Sequence, residues 1–383
     1  MHFYWAGAWI VDRAGRPLYT DFACAWAAEV QAPYGAAAVL YDPAEFVKIQ
    51  TALLGVSDPL YPNWPYPPTF FFLFAPFSAL PYLWGFIAWD VTTLAGCLVI
   101  VYLIVRRRAA MALVLSSPFT AWNLLAGQNG FVTASPLGAS LLLLERQPVL
   151  AGVSIGCLSY KAQFGLMLPL ALAASHRWRA FASAAVTAAV LAGASMAAFG
   201  PAVWEIFPRG VFEQANLILL SGGQDDPLAD WGRIQTVYGL MRDLGGSGTL
   251  AALAQGLTTV GAGIVVRMVW RSAARYALQA AALSSAALIA TPYAFVYDMA
   301  AIAIPRAFLA KDQMNCGLLR REQTILLALF GACLAALVIF GDSPYRTTFG
   351  SVPLGPVVVV TLLGLILRRA VGRAREPAIF VYG

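Results

Sequence analysis

Apolar residues run in long blocks separated by short polar or basic turns over most of the chain, the pattern of helices in an apolar surround rather than of alternating strands. Eleven blocks are predicted as membrane segments: 82–105, 109–126, 131–144, 149–160, 162–175, 180–200, 249–267, 276–291, 299–310, 323–341 and 352–368. A crossing helix takes about 20 mostly apolar residues, yet several blocks reach only about 18–24 Å at ~1.5 Å per residue, short of a hydrocarbon core of ~30 Å. Broken or re-entrant helices lining a cavity are therefore expected. Two polar stretches, 12–69 and 201–248, interrupt the pattern. At the N-terminus, Phe3 to Val11 is apolar but too short to cross; it reads either as an interfacial stub or, preferably, as the tail of a first spanning helix whose upstream part precedes Met1.

Composition carries this to a class. Sixty per cent of the 383 residues are hydrophobic and 11% are charged, with a mean hydropathy of +0.70. A soluble chain has roughly 45–50% and 25%. The expectation is an all-α polytopic membrane protein with a single domain over 1–383, about 11 to 12 transmembrane helices and two extracytoplasmic loops.

The net charge of +6 does not point to nucleic acid, because the basic residues cluster between apolar blocks and act as topology signals. Arg106-Arg107-Arg108, Arg146, Arg177 with Arg179, Arg267 with Arg271 and Arg275, Lys311 with Arg320 and Arg321, and the group from Arg368 to Arg375 all fall on one side by alternation. Most acids, from Asp12 to Asp58 and from Glu205 to Asp243, fall on the other. This places the polar loops outside and the C-terminus in the cytoplasm, in a multi-pass cell-membrane protein. The five cysteines show no CxxC spacing and the two histidines lie far apart, so neither a metal site nor a cofactor is expected.

Several polar residues stand where chemistry is possible. Asp21, in Leu18-Tyr19-Thr20-Asp21-Phe22, is either a partly desolvated general base or a helix cap. Asp42, before Pro43, reads as a structural turn residue. The run Pro65-Tyr66-Pro67-Pro68 cannot be regular helix, and leads into Phe70-Phe71-Phe72 as a rigid aromatic wall suited to a lipid chain or to an interfacial belt. Lys161, at the outer end of a short block, would hold a phosphate or snorkel to the interface. Asp298, after Thr291-Pro292, would orient an acceptor hydroxyl or cap a helix; Asp90 lies within an apolar block and reads as a packing residue. Gly127-Gln128-Asn129-Gly130 is an outer turn whose amides suit sugar hydroxyls, and Arg233, beside Trp231, suits phosphate or sugar.

The order of these pieces resembles glycosyltransferase family 87, polytopic membrane proteins that include polyprenyl-phosphate-mannose-dependent mannosyltransferases. The matching pieces are Asp21-Phe22 followed by Leu40-Tyr41-Asp42-Pro43, the run from Tyr66 to Phe77, Gly127-Gln128-Asn129, Ala151-Gly152 to Lys161 followed by Arg177-Trp178-Arg179, and Thr291-Pro292 to Tyr297-Asp298. The resemblance implies a GT-C-like bundle with a catalytic aspartate in the first external loop, here Asp21. Ala162 stands where the family places a proline, and Asp298 stands near where actinobacterial members carry histidines.

The expected reaction is inverting transfer of a hexose, by resemblance mannose, from a polyprenyl-phosphate donor to a lipid or glycan acceptor on the extracytoplasmic face. Asp21 would be the base, Lys161 and Arg233 the phosphate contacts, Tyr66 part of the lipid wall, and Gln128 or Asp298 the sugar or acceptor contact. Membrane lipids are the other expected partners. A flippase or transporter of lipid-linked sugars is the competing class, and would require inverted repeats and midplane charges; a scaffold subunit would leave Asp21 dispensable.

Overall fold

The computed structural model describes residues 10–11, 17, 20–34, 37–55, 64–219, 231–340 and 353–372. The expected truncated helix at Phe3 to Val11 and the cytoplasmic C-terminal end lie largely outside these residues. Among the described residues the chain forms seventeen α-helices and several 3-10 segments, with isolated bridges in place of strands.

The first polar stretch carries α1 (Asp21–Gln31) and α2 (Pro43–Leu54), and α3 (Thr69–Ser78) starts at its end. Asp42 caps α2 by accepting from the Ala44 and Glu45 N–H groups at 2.9 and 3.2 Å, the structural role its sequence position suggests. The segment from Trp64 to Pro68 precedes α3 and is not α-helical, because three prolines remove donors there.

The apolar body follows as α4 (Tyr82–Val105), α5 (Arg108–Leu115), α6 (Pro118–Ala126), α7 (Gly130–Leu143), α8 (Pro148–Cys157), α9 (Leu168–Ala174) and α10 (Trp178–Phe199). The second polar stretch holds α11 (Ala202–Leu219) and α12 (Val237–Asp243). The body then resumes with α13 (Gly248–Arg271), α14 (Tyr276–Ile289), α15 (Ala303–Cys316), α16 (Glu322–Phe340) and α17 (Gly355–Gly372).

Among the described residues three helices, α4, α10 and α13, are long and apolar enough to cross a membrane. The count rises to five if two bent pairs are each one span: α5 with α6, bent by 62°, and Pro148–Gly165 with α9, bent by 109°. The second break falls where the apolar blocks 149–160 and 162–175 are each too short to cross alone; the first falls within the block 109–126. Exposed Val91, Val186, Val190, Leu257 and Val260 give the long helices the apolar outer faces that lipid requires. The build is that of a helical membrane protein.

Inside the bundle, Gly152 and Gly156 form a small-xxx-small face on α8, and a methyl group at either would overlap Ala180, Ser183 or Thr187 of α10. One large buried cluster joins α4, α7 and α13 to α17. A second is rich in aromatic rings and includes residues of the first polar stretch: Phe22, Phe46, Trp64, Phe70, Phe71, Phe74, Phe86 and Trp89 are each 0–1% exposed.

Candidate active site

Asp21 opens α1, directly after Thr20, whose Oγ1 caps the helix by accepting from the Ala23 N–H at 3.3 Å. The next side chain, Phe22, is locked between the rings of Phe74, Tyr82 and Phe86 at 5.1–5.5 Å. The anchored phenylalanine fixes where the half-buried carboxylate stands.

The carboxylate lines a small cavity of about 20 Å³ together with Trp122, Ala126, Arg233, Phe295, Val296 and Tyr297. Four separate parts of the chain therefore meet there. Arg233 arrives on a 3-10 turn, Trp231–Arg233, which a bridge from Ile234 to Phe295 and a Gln235 N–H to Ala294 carbonyl bond of 2.8 Å dock onto the segment after Pro292. Another cation, Arg242, sits over the Trp231 ring at 4.7 Å.

Beside the cavity the turn of residues 127–130 is tightly built. Gly127 has φ +63°, and a Cβ there would stand 2.6 Å from that of Phe22. Asn123, fully buried at the end of an apolar block, donates from Nδ2 to the Gln128 carbonyl at 3.0 Å and accepts the Gly130 N–H at 2.8 Å. Trp89 Nε1 donates to the same Gln128 carbonyl at 3.3 Å. Tyr66 joins this turn: Asn129 Nδ2 donates to its hydroxyl at 2.7 Å, and the hydroxyl reaches Gln128 Oε1 at 3.5 Å. Burial, reinforced by the Asp298 carboxylate and to a smaller degree by Asp21, pushes the Tyr66 hydroxyl well above the ordinary phenol range. Tyr66 is a neutral phenol at any physiological pH.

Lys161 lies in the 3-10 stretch Leu158–Gly165 at a non-helical residue (φ −135°, ψ 65°), so the break in the short block is what turns it inward. It does not snorkel. Its ammonium contacts Asp298 Oδ1 at 2.5 Å, with the two side chains 5% and 1% exposed. The other oxygen, Oδ2, accepts the Phe295 N–H at 3.0 Å, so Asp298 also caps its own segment. The Lys161 ammonium faces the Tyr297 ring at 4.9 Å and the Tyr66 ring at 5.9 Å. A buried pair of this kind is worth little as net stability, but removal of either partner strands a charge.

The sequence-selected residues thus share one neighbourhood: Asp21 and Arg233 in the cavity, Tyr66 and Gln128 beside it, Lys161 and Asp298 joined to it through Tyr297. Sequence reasoning missed Asn123, Trp122 and Tyr297 as parts of it. An amide inside an apolar block was the available signal for Asn123. Among the described residues no group of His, Cys, Asp or Glu side chains is arranged to hold a metal ion.

The profile of glycosyltransferase family 87 matches residues 64–292, more than half of the chain. The chain belongs to glycosyltransferase family 87. As a member it is a glycosyltransferase, with a sugar donor and an acceptor as substrates. No curated protein and no solved structure matches the chain significantly. The family match covers Tyr66, Gln128, Lys161 and Arg233 and stops short of Asp21 and Asp298; geometry, not the matched span, brings those two carboxylates to the same place.

Proposed function

We propose that this family 87 glycosyltransferase transfers a hexose, with mannose as the first sugar to test, from a polyprenyl-phosphate donor to a lipid or glycan hydroxyl at the extracytoplasmic face, with inversion at the anomeric carbon. The observation that carries the reading is the meeting of Asp21 and Arg233, from two different polar stretches, in one cavity. An anionic base and a planar cation are what a phosphate-leaving transfer needs on opposite sides of the reacting carbon.

In the step, the Asp21 carboxylate takes the proton of the acceptor hydroxyl while that oxygen forms a bond to C1 of the sugar. The bond from C1 to the phosphate oxygen breaks, and polyprenyl phosphate departs with the electron pair. One base suffices because the phosphate needs no protonation to leave, unlike the alkoxide of a glycosidase. Arg233 steadies the charge that grows on the phosphate. Lys161 supports the same field, and Asp298, whose two oxygens are engaged, acts by placing Lys161 and the 295–297 backbone. Tyr66 and Gln128 form a polar edge suited to sugar hydroxyls, and the rings from Trp64 to Phe74 suit the prenyl chain.

The same reading places the polar stretches outside, in a cell-membrane protein with about 11 to 12 spans and a cytoplasmic C-terminus. Family membership supports transfer over the flippase alternative. Purified protein incubated with a panel of polyprenyl-phosphate sugars is expected to release polyprenyl phosphate, and Asp21→Asn to abolish release while still inserting and folding. Near-normal turnover by that variant would remove Asp21 from the mechanism.

A further inference from the structure

Tyr297 lines the cavity with Asp21 and Arg233 and has no part in the mechanism above. Its hydroxyl differs from those of Tyr66 and Tyr160. Tyr66 Oη accepts from Asn129, and Tyr160 Oη lies 2.7 Å from Thr133 Oγ1. The Tyr297 hydroxyl forms no side-chain hydrogen bond within the described residues and, belonging to a residue that lines the cavity, is left to a ligand there.

The residue is nonetheless held firmly. Its ring stacks on Phe295 at 5.5 Å and 21°, and carries the Lys161 ammonium 4.9 Å from its centroid. Its carbonyl is crowded by Gly130, where no Cβ fits. In the 3-10 segment Val296–Ile302 neighbouring side chains diverge by about 120°, so Asp298 turns to Lys161 while Tyr297 turns to the cavity. Asp21, Asp298, Tyr66 and Tyr293 act electrostatically on its hydroxyl, the Lys161 ammonium lies over its ring and Arg233 lines the same cavity.

Two acceptors compete for such a donor. A hydrogen bond to Asp21 would weaken the base that the reaction needs. The departing phosphate instead gains charge as its bond to C1 breaks, so a donor already in place strengthens its contact in the transition state. We propose that Tyr297 is a further catalytic residue, its hydroxyl donating to the leaving phosphate and forming with Arg233 a leaving-group subsite for a polyprenyl phosphate. The assignment rests on the donor chemistry proposed above.

Tyr297→Phe tests it, because it keeps the ring stack and the cation contact and removes only the hydroxyl. With polyprenyl-phosphate mannose as donor, kcat should fall on the order of 10- to 100-fold with a smaller change in KM. Inhibition by added polyprenyl phosphate should weaken by a similar factor, and the melting temperature in detergent should stay at the wild-type value. If wild type turns over and the phenylalanine variant matches it in rate and inhibition, the subsite is wrong while the donor reading stands. A variant that loses activity together with melting temperature assigns Tyr297 a structural role and overturns the proposal. Wild type inert toward the whole panel of polyprenyl-phosphate sugars overturns the donor reading and this subsite with it.

Discussion

Glu29 lies two turns beyond Asp21 on α1, is 2% exposed, and leaves Oε2 without a hydrogen-bond partner among the described residues. Burial pushes its carboxyl from 4.5 up to about 8. The folded protein therefore holds a proton that the unfolded chain has released between roughly pH 4.5 and 8, and stability falls as pH rises through that window. Above about pH 8 both states are ionised and the decline levels off. Glu29→Gln keeps the shape and cannot ionise, so its melting temperature should exceed wild type at pH 8 and the difference should vanish near pH 4.5. A pH dependence identical in the two proteins would show that other groups set it. Nothing in the local sequence distinguishes Glu29 from a solvated loop acid. Likewise Lys161 and Asp298, 137 positions apart, are each legible as unusual charges in apolar surroundings, but their pairing is not. A charge in an apolar block announces that it has a partner; which partner is a property of the packed chain.

At the scale of elements, the apolar blocks were legible because desolvation demands length and composition together. The predicted 82–105 is α4 to the residue, and the short blocks at 149–160 and 162–175 became the pair Pro148–Gly165 and α9, bent between Gly165 and Leu168. The helices inside the polar stretches were harder to read. Only short stretches after Asp21 and Asp42 signalled them, whereas α11, and α3 just past the first stretch, carry internal prolines, Pro208 and Pro76, that argue against helix. Contacts between elements were not legible at all, and the close approach of the 127–130 turn to the 296–302 segment is the one on which the site depends. A Cβ at Gly130 would overlap the Tyr297 carbonyl and stand 2.6 Å from Asn123 Oδ1. Gly130→Ala should therefore cost about 1–3 kcal/mol of stability, as overpacking does, and lower turnover by displacing the backbone beneath the cavity. Gly193→Ala, in α10 with nothing within 4 Å, supplies the contrast and should be neutral or slightly stabilising. Equal melting temperatures and rates for the two variants would contradict the packing argument.

Across the whole molecule, the site at one end is tied to a second set of buried charges at the other. Asp312 on α15, its side chain 0% exposed, accepts from Arg275 at 2.5 and 2.8 Å and from Arg369 at 2.9 Å. Arg369 also binds Glu322 Oε2 at 3.1 Å and the Gly317 carbonyl, so the start of α14 and helices α15, α16 and α17 are fastened together. Asp312 lies roughly 20 Å along the chain from Asp298, given about 1.5–2 Å per residue. At its opposite end α17 meets the site, where the Gly355 N–H donates to Gln235 Oε1 at 2.7 Å, two residues from Arg233. The fastening thus holds a helix that braces the second polar stretch without touching the cavity. Asp312→Asn leaves two guanidinium groups facing an uncharged amide, one of them buried, and should cost about 3–5 kcal/mol. Arg275→Gln removes a partner that is 35% exposed, and Asp312 keeps Arg369, so its cost should be no more than about 1 kcal/mol. Thermal unfolding in detergent should rank the two in that order, while the donor KM of the folded Asp312→Asn protein stays near wild type. A raised KM at unchanged melting temperature would instead make the charge set part of substrate handling.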